Sequence, residues 1–378
     1  MATSNVDRQG GLAVGLSQGL TDPAWDRFVA GAAGGGHLQT TAWARVKATL
    51  GWDATRIAVW SGDELVAGCQ VLHKPVSPLA RMAYVARGPL PSTMGPEHLR
   101  AVVGALDELG TRRRVLYLKV QPPPGGHEMV PALVGRGFVP SAIDVSPTAS
   151  ARIDLDRSED EVLAAMNTAR RRGIRVARRK GVVVRSGGPE DVRTFMPLLE
   201  GTAQRQGFPT YSRDYYETML RSFEPGETAE LVLAEYEGTA VAGLLVLGPG
   251  ESADAKVIGW SGEHPELHAN ELVYWEAIRW AKSRGYRSFD LGNIKPAVAR
   301  ALIAGEEIKP PGTDYFKLLF GGQPVLHPEV VDAVYPAVLR GALRLAAPRL
   351  ERLAPTMKRS LRKRRAPAAP RTGRRVAA

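Results

Sequence analysis

The chain has 378 residues, more than the roughly 100–200 typical of one domain, so its length favours two domains. Its composition, 44% hydrophobic and 24% charged, is typical of a globular protein and excludes a wholly disordered or fibrous one. The formal net charge is +11, but residues 340–378 alone hold thirteen Lys or Arg and one acid. The first 339 residues are therefore close to neutral, and the basic character belongs to a tail.

The single cysteine, Cys69, lies in an apolar, strand-like stretch. One cysteine cannot form a disulfide framework or a thiolate zinc site, so we expect a buried core thiol and a reducing compartment. No stretch approaches about 18 consecutive apolar residues, and the N-terminus lacks a basic flank before an apolar segment. We therefore expect a cytoplasmic protein with no membrane span and no export signal.

Two helices are predicted first along the chain. Asp22 and Pro23 supply an N-cap and a first-turn proline, and Thr40 or Thr41 starts the next helix. That second helix is amphipathic, with Trp43 on its apolar face and Lys47 four residues later. By spacing alone, Lys47 is an ordinary surface lysine whose stem covers apolar surface.

An internal repeat follows. The pattern V-A-G-x-x-V-L occurs at residues 66–72 and again at 241–247, an offset of 175, each time in the second strand of a predicted hairpin. After each hairpin comes a predicted helix that stops at a glycine, Gly110 or Gly285, again 175 apart, and then a strand. The matching register indicates a duplicated α/β unit.

The repeat and the residues that start and end the predicted helices together predict the domain organisation. Ser158 begins a capping box, S-E-D-E, that opens a helix running toward Gly181 in the second unit. We predict a flexible N-terminus (1–20), a first domain (21–148, completed by 321–340), a second domain (149–320), and a basic helix with a disordered tail (341–378).

Several short motifs occur in order between residues 22 and 335. They include H-L-Q-T-x-x-W-x-x-V-K-x-x-x-G-W from His37, Y-x-x-R-G-P from Tyr84, R-x-G-F from Arg205, F-D-L-G from Phe289 and F-K-x-x-F-G-G from Phe316. Together they resemble the Fem-type (FemABX) aminoacyl-tRNA-dependent transferases, which build the interpeptide bridges of peptidoglycan.

This resemblance implies a tandem pair of acetyltransferase-like (GNAT) α/β domains. It also implies transfer of an amino acid from aminoacyl-tRNA to the side-chain amine of the third stem-peptide residue of a peptidoglycan precursor. The acceptor is lipid II or UDP-MurNAc-pentapeptide. No cofactor and no metal are expected, and we expect a monomer.

The resemblance assigns the precursor's diphosphate to two cations, Lys47 and Arg205. Arginine offers a bidentate fork and lysine a compact charge, so both suit a dianion. The family often has a tyrosine directly after R-x-G-F, but here Pro209 takes that place and Tyr211 follows it. The predicted substrate-binding residues are Lys47, Arg205, Trp43, Tyr211 and Trp260.

Lys317, in F-K-x-x-F-G-G, is the predicted catalytic residue, because the resemblance places a cation there beside the developing oxyanion. Without the resemblance, a lysine that blunts an edge strand would be the simpler interpretation. No general base is assigned. Gln121 replaces an acid that some relatives carry, and Asp290 and Asp314 are the remaining carboxylates.

Residues 170–180 contain seven Lys or Arg and no acid. Such a run is often a solvated helix face, but it would also attract the phosphate backbone of tRNA. The predicted tRNA-binding residues are Arg171, Arg172, Arg175, Arg178 and Arg179.

The basic tail would serve either tRNA or the anionic inner face of the plasma membrane, and we place the membrane first. Two other functions stay open. An acetyl-CoA-dependent N-acyltransferase would use the same fold, but its R/Q-x-x-G-x-G/A loop is matched only by residues 170–175, with arginine at the last position. A non-catalytic RNA-binding protein would leave Lys47, Arg205 and Lys317 without roles.

Overall fold

The computed structural model describes residues 4–9, 11–141, 146–223, 227–310 and 312–335, which form two mixed β-sheets with flanking helices. The predicted basic helix and tail at 341–378 lie outside the described residues. None of the helices in the described part of the chain is long and apolar enough to cross a bilayer.

The strands are β1 Ser4–Gln9, β2 Leu12–Ser17, β3 Asp53–Ser61, β4 Glu64–Ser77, β5 Ala80–Ala86, β6 Val115–Gln121, β7 Val139–Pro140, β8 Ala149–Asp154, β9 Val183–Gly187, β10 Ala229–Tyr236, β11 Thr239–Leu247, β12 Ser252–Trp260, β13 Ser288–Asn293, β14 Gln323–Leu326 and β15 Val331–Val334. The helices are α1 Pro23–Gly31, α2 Thr41–Ala48, α3 Pro96–Arg112, α4 Met129–Val134, α5 Glu159–Ala165, α6 Thr168–Arg179, α7 Val192–Gln206, α8 Arg213–Ser222, α9 Ala269–Ser283, α10 Pro296–Ile303 and α11 Gly312–Leu318.

The first sheet has the order β1-β2-β3-β4-β5-β6-β15-β7 and the second β14-β8-β13-β12-β11-β10-β9. Each sheet has one parallel pair among its described strands, β5 with β6 and β12 with β13, at equivalent positions of the repeat. Both predicted hairpins are present, as β3–β4 and β10–β11. The predicted tandem α/β architecture is confirmed.

The two parallel pairs differ in how far they stay together. Strands β5 and β6 pair along their length, up to Ala86 opposite Gln121. Strands β12 and β13 pair only from Ser252 to Asp254 and then separate. We call the opening between Ala255 of β12 and Gly292 of β13 the strand gap. The second sheet therefore lacks, beyond Asp254, the parallel pairing that the first sheet keeps.

The repeated V-A-G motif has a packing reason. A Cβ on Gly68 would lie 2.2 Å from the Ile57 carbonyl oxygen and 2.8 Å from the Trp25 ring. A Cβ on Gly243 would lie 2.8 Å from both the Leu233 and the Phe195 side chains. Both glycines thus let a neighbouring side chain approach the sheet closely.

Two local predictions are corrected. The first twenty residues are not a flexible arm throughout, because β1 and β2 add to the edge of the first sheet, with β2 hydrogen-bonded to β3. The helix from Ser158 has its predicted capping box but ends at Ala165, and a new helix starts after Asn167, whose side chain accepts from the Ala169 amide. A side-chain cap inside the run thus divides it into α5 and α6.

The last two described strands, β14 and β15, belong to different sheets. Strand β14 pairs with β8 in the second sheet, and β15 pairs with β6 in the first. The return to the first sheet therefore begins at Val331. The domain boundaries at 148 and 320 stay predictions.

A hydrophobic cluster joins the two sheets. It combines Trp43 and Val46 of α2 with Phe195 of α7 and Leu245 of β11, all buried. Helix α2 is therefore held against the second sheet, which fixes the position of its polar side chains.

The Gly68→Ala variant should lower the free energy of unfolding by about 1–3 kcal/mol, because the added methyl overpacks the sheet against Ile57 and Trp25. Urea unfolding measures this. The matched control is Gly104→Ala in α3, where no atom lies within 4 Å of the new methyl; helix propensity should make it stabilising by about 0.5–1 kcal/mol. A Gly68→Ala variant as stable as wild type would contradict the packing argument.

Candidate functional site

Lys47 lies in an aromatic pocket between the two sheets. Thr40 caps α2 by accepting from the Trp43 amide, and Trp43 packs inward, so that Lys47 one turn later is carried into the interior with it. The Lys47 Nζ lies 5.7 Å from the ring centroid of Trp43, 5.9 Å from that of Trp52 and 6.0 Å from that of Tyr211. We call this set the Lys47 pocket.

The charge of Lys47 is not neutralised by the protein. Only 9% of the residue is exposed, and its Nζ forms no ion pair or hydrogen bond with any residue that the structure describes. Burial, with a smaller effect from the charge of Lys74, lowers its pKa. A buried unpaired cation is costly, and cation–π contacts offset only part of that cost. The pocket is therefore suited to an anionic ligand.

A second lysine reaches the same pocket from β12. Strand β12 has a bulge in which Ala255 and Val257 pair with β11 while Lys256 between them has no partner. Bulges redirect side chains, and here the Lys256 Nζ lies 4.4 Å from the Trp43 ring centroid. Trp43 is thus flanked by two cations.

Lys256 is connected to an acid through a histidine. Its Nζ lies 3.2 Å from His37 Nε2, and His37 Nδ1 lies 2.9 Å from Asp254 Oδ2. These partners assign a neutral His37 that donates from Nδ1 and accepts at Nε2. Burial lowers the pKa of Lys256 to about 8, against the opposing attraction of Asp254.

Lys317 lies at the strand gap, on helix α11 and not on an edge strand. Its Nζ donates to the Asn293 carbonyl at 2.7 Å. Gly292 has φ of +91°, and a Cβ there would come within 3.3 Å of this Nζ. Burial lowers the pKa of Lys317, while Asp290 and Asp314 oppose that shift. The amine is therefore a partly desolvated donor at the opening between β12 and β13.

The two carboxylates considered as a base both hold the backbone. Asp290 accepts from the Ser150 hydroxyl at 2.6 Å and from the Gly292 amide at 2.8 Å, and burial raises its pKa. Asp314 accepts from the Lys295 amide at 3.1 Å. Both acids shape the strand gap around Lys317. Neither is assigned as a base.

Arg205, at the end of α7, is fixed beside Trp260. It donates to the carbonyls of Trp260 and Ser261 and to Thr202 Oγ1, and its guanidinium lies 5.0 Å from the Trp260 ring centroid. No contact between described residues joins Arg205 directly to Lys47. Tyr211, which lines the Lys47 pocket, follows Arg205 by six residues.

The arginine run on α6 divides into two groups. Arg178 pairs with Glu276, and Arg171 donates to the Ala164 carbonyl, so neither is fully free. Three exposed arginines form no ion pair within the described part of the chain: Arg172, Arg175 and Arg179. These three arginines are the main positive charges of α6 that no described acid neutralises.

Arg87, in the Y-x-x-R-G-P motif, is a further site residue that the sequence analysis left without a role. Its Nη2 donates to the Pro147 carbonyl at 2.6 Å, while its buried Nη1 has no partner among the described residues. Burial lowers its pKa to about 10 despite the attraction of Asp290 and Asp254. The charge of Arg87 is therefore attracted both by Asp290 at the strand gap and by Asp254, the partner of His37.

Sequence reasoning also missed the set His37, Asp254 and Lys256. His37 is the first residue of the first quoted motif, so that motif could have identified it as a candidate site residue. Lys256 could not be found by strand periodicity, because the bulge changes which face it occupies.

Comparison with known proteins agrees with this architecture. Residues 20–128 match the model of the FemAB family, and residues 164–305 match the acetyltransferase (GNAT) domain. The lipid II:glycine glycyltransferase of Staphylococcus aureus strain MRSA252 is 28% identical over 268 residues, covering 68% of this chain and 60% of that protein. The chain thus spans less than two thirds of that relative's length.

Solved structures share the fold. The crystal structure of FemX has a TM-score of 0.75 at 20% identity, covering 85% of this chain and 98% of FemX. A tandem GNAT protein from the clavulanic acid biosynthesis pathway has a TM-score of 0.50 at 16% identity, covering 85% of this chain and 98% of that one. The predicted tandem GNAT fold is confirmed. The motifs, the family model over residues 20–128 and the related transferases agree in their similarity to the FemAB family.

Proposed function

We propose that the protein transfers an amino acid from aminoacyl-tRNA to the side-chain amine of the third stem-peptide residue of a peptidoglycan precursor. The observation that carries this proposal is Lys47, a buried cation unpaired among the described residues, in an aromatic pocket that Lys256, the neighbour of Ala255 in the strand gap, also reaches. It fits the anionic, sugar-bearing end of lipid II or a nucleotide-linked precursor, and the similar S. aureus proteins are named for lipid II.

In this proposal, the diphosphate is held by Lys47 and Arg205. Lys256, whose Nζ lies 4.4 Å from the Trp43 ring centroid, adds a third positive charge. The rings of Trp43, Tyr211 and Trp260 offer flat apolar surfaces to the rest of the precursor. Binding the dianion supplies the counter-charge that Lys47 lacks in the free protein.

The chemistry is acyl transfer from an ester to an amine. The attacking nitrogen bonds to the aminoacyl carbonyl carbon, the carbonyl oxygen becomes an oxyanion, and collapse breaks the bond to the ribose oxygen, which leaves protonated. Lys317 donates a hydrogen bond to the oxyanion or to the leaving oxygen, where negative charge develops only in the transition state. The amine's proton is released to solvent or to the leaving oxygen.

The tRNA is assigned to the exposed arginines of α6, with Arg172, Arg175 and Arg179 as the main contacts and Arg171 and Arg178 supporting them. The basic residues 340–378 are assigned to the anionic membrane surface at which a lipid-linked acceptor is met.

Incubation with a mixed pool of charged tRNAs and either precursor should add an amino-acid mass increment to the precursor, read by mass spectrometry.

The Lys317→Met variant should lower kcat at least about 100-fold with precursor affinity little changed, the pattern expected for a transition-state contact. Lys309→Met, an exposed lysine nearby, is the matched control. Lys317→Met turnover within a few fold of wild type would remove Lys317 from the mechanism.

Precursor affinity should fall as pH rises through about 8. Lys256 has its pKa lowered to about 8, so its charge is present below that pH and lost above it, and an anionic ligand prefers the charged form. Lys256→Arg keeps the charge and should move the loss to higher pH. Calorimetric titration of the soluble precursor between pH 6.5 and 9.5 measures both, and identical profiles for the two proteins would show that Lys256 does not face the ligand.

A further inference from the structure

The end of the β4–β5 hairpin exposes apolar side chains. Residues 75–79 are all exposed, with Val76 at 55% and Leu79 at 70% of their full accessible surface. Met82 of β5 and Leu116 of β6 continue the apolar surface at the same end of the sheet. We call residues 75–79 the hairpin tip.

The hairpin tip projects beyond its neighbours. Strand β3 begins pairing with β4 only at His73, and β6 begins at Val115, opposite Arg81. Pro75 and Pro78 lack amide hydrogens, and proline on an edge opposes addition of a further strand. The tip is therefore poorly suited to pairing with another β-strand and better suited to a non-directional apolar environment.

Positive charge surrounds the hairpin tip. Lys74 and Arg81 flank it, and the Arg114 carbonyl at the start of β6 accepts from the Arg81 amide. The basic residues at this end are Lys74, Arg81, Arg112, Arg113 and Arg114. Arg81 pairs with Asp53 and Arg112 with Glu108, while the other three form no ion pair with a described residue. Exposed apolar residues within a basic surround match an anionic lipid bilayer, in which the apolar side chains enter and the cations meet headgroups.

The hairpin tip also adjoins the Lys47 pocket. The Lys74 Nζ donates to the Leu50 carbonyl at 2.7 Å, immediately after helix α2, and the charge of Lys74 is felt at Lys47. The Tyr335 amide donates to the Leu116 carbonyl at 3.0 Å, so the last described residue lies at this same end of the sheet.

We propose that the hairpin tip inserts into an anionic bilayer and holds the Lys47 pocket at the headgroup level. The diphosphate of a lipid-linked precursor lies at that level, so docking presents it to Lys47 without lifting the lipid from the membrane. This use of the surface rests on the proposed function, whereas the lipid contact itself can be measured without any transfer.

The first test is co-sedimentation of the full chain with vesicles of phosphatidylglycerol and phosphatidylcholine. Val76→Ser/Leu79→Ser should lower the partition coefficient about tenfold, because two exposed apolar side chains lose their transfer into lipid. The matched control is Val183→Ser/Leu20→Ser, which removes a valine and a leucine of similar exposure elsewhere and should bind like wild type. Unchanged binding of the tip variant would overturn the proposal.

The second test places an environment-sensitive fluorophore on Leu79→Cys. Cys69 is fully buried, so labelling is directed to position 79. Emission should shift to the blue with phosphatidylglycerol vesicles, and the same label on Leu20→Cys should not respond. A silent label at position 79 while the protein still sediments with vesicles would assign membrane binding to the tail alone and overturn the proposal.

Transfer assays separate this inference from the proposed function. The tip variant should keep wild-type transfer to the soluble nucleotide-linked precursor and lose transfer to vesicle-embedded lipid II. Absence of transfer by the wild-type protein, with vesicle binding by the tip intact, would reject the enzymatic function and leave the membrane contact standing. Equal loss with both acceptors would contradict the role of the tip in presenting the precursor.

Discussion

A positive charge kept in an aromatic interior without a counter-ion is the constraint around which the rest of this molecule is arranged. Lys47 stays there because Thr40 caps its helix and because Trp43 and Val46 anchor that helix in the cluster between the sheets. The rings of Trp52 and Tyr211 lie 5.9 and 6.0 Å from its Nζ. An exposed lysine would gain little stability from such contacts, because water already solvates its charge. An anionic ligand would offset the cost of burying this charge.

The second constraint is the asymmetry between the two repeats. Both keep a V-A-G strand and a parallel strand pair, but the first pair is closed along its length and the second opens after three residues. The opening is held by Asp290, which fixes the turn at Gly292, and it is there that Lys317 donates to Asn293. The first pair is part of a continuously paired sheet, whereas in the second repeat Lys317 lies where the pairing of β12 and β13 has ended.

Local signals in the sequence predicted local structure well. The capping residues Asp22, Thr40 and Ser158 accept the expected backbone hydrogen bonds, because such caps depend on a few neighbouring residues. The repeat predicted both hairpins, because a hairpin also depends on residues that are close together in the sequence. Strand β2 was missed because its burial is mixed, so its sequence carries no strong alternation of apolar and polar residues.

The candidate site was only partly predictable. Lys47 and Lys317 were found through motifs, and periodicity alone would have left each as a surface lysine. Lys256 entered the site through a one-residue bulge, and its contacts with Trp43 and His37 join parts of the chain more than 200 residues apart. Contacts of that kind depend on how the two sheets pack, which no local pattern reports. The roles of Lys47, Lys317, Arg205 and the α6 arginines all stay proposals.

The most direct test of the central claim is a double-mutant cycle on precursor binding. Calorimetric titration with the soluble nucleotide-linked precursor would compare wild type, Lys47→Met, Arg205→Gln and the double variant, with Lys309→Met as control. If both cations hold one diphosphate, each single change should weaken affinity by about 10–100-fold, the range of a charge-assisted contact, and the double change should lose less than the product of the two. Losses that multiply fully would show that the two cations do not hold one diphosphate together, and an unchanged affinity for Lys47→Met would show that the unpaired charge of Lys47 does not serve this ligand.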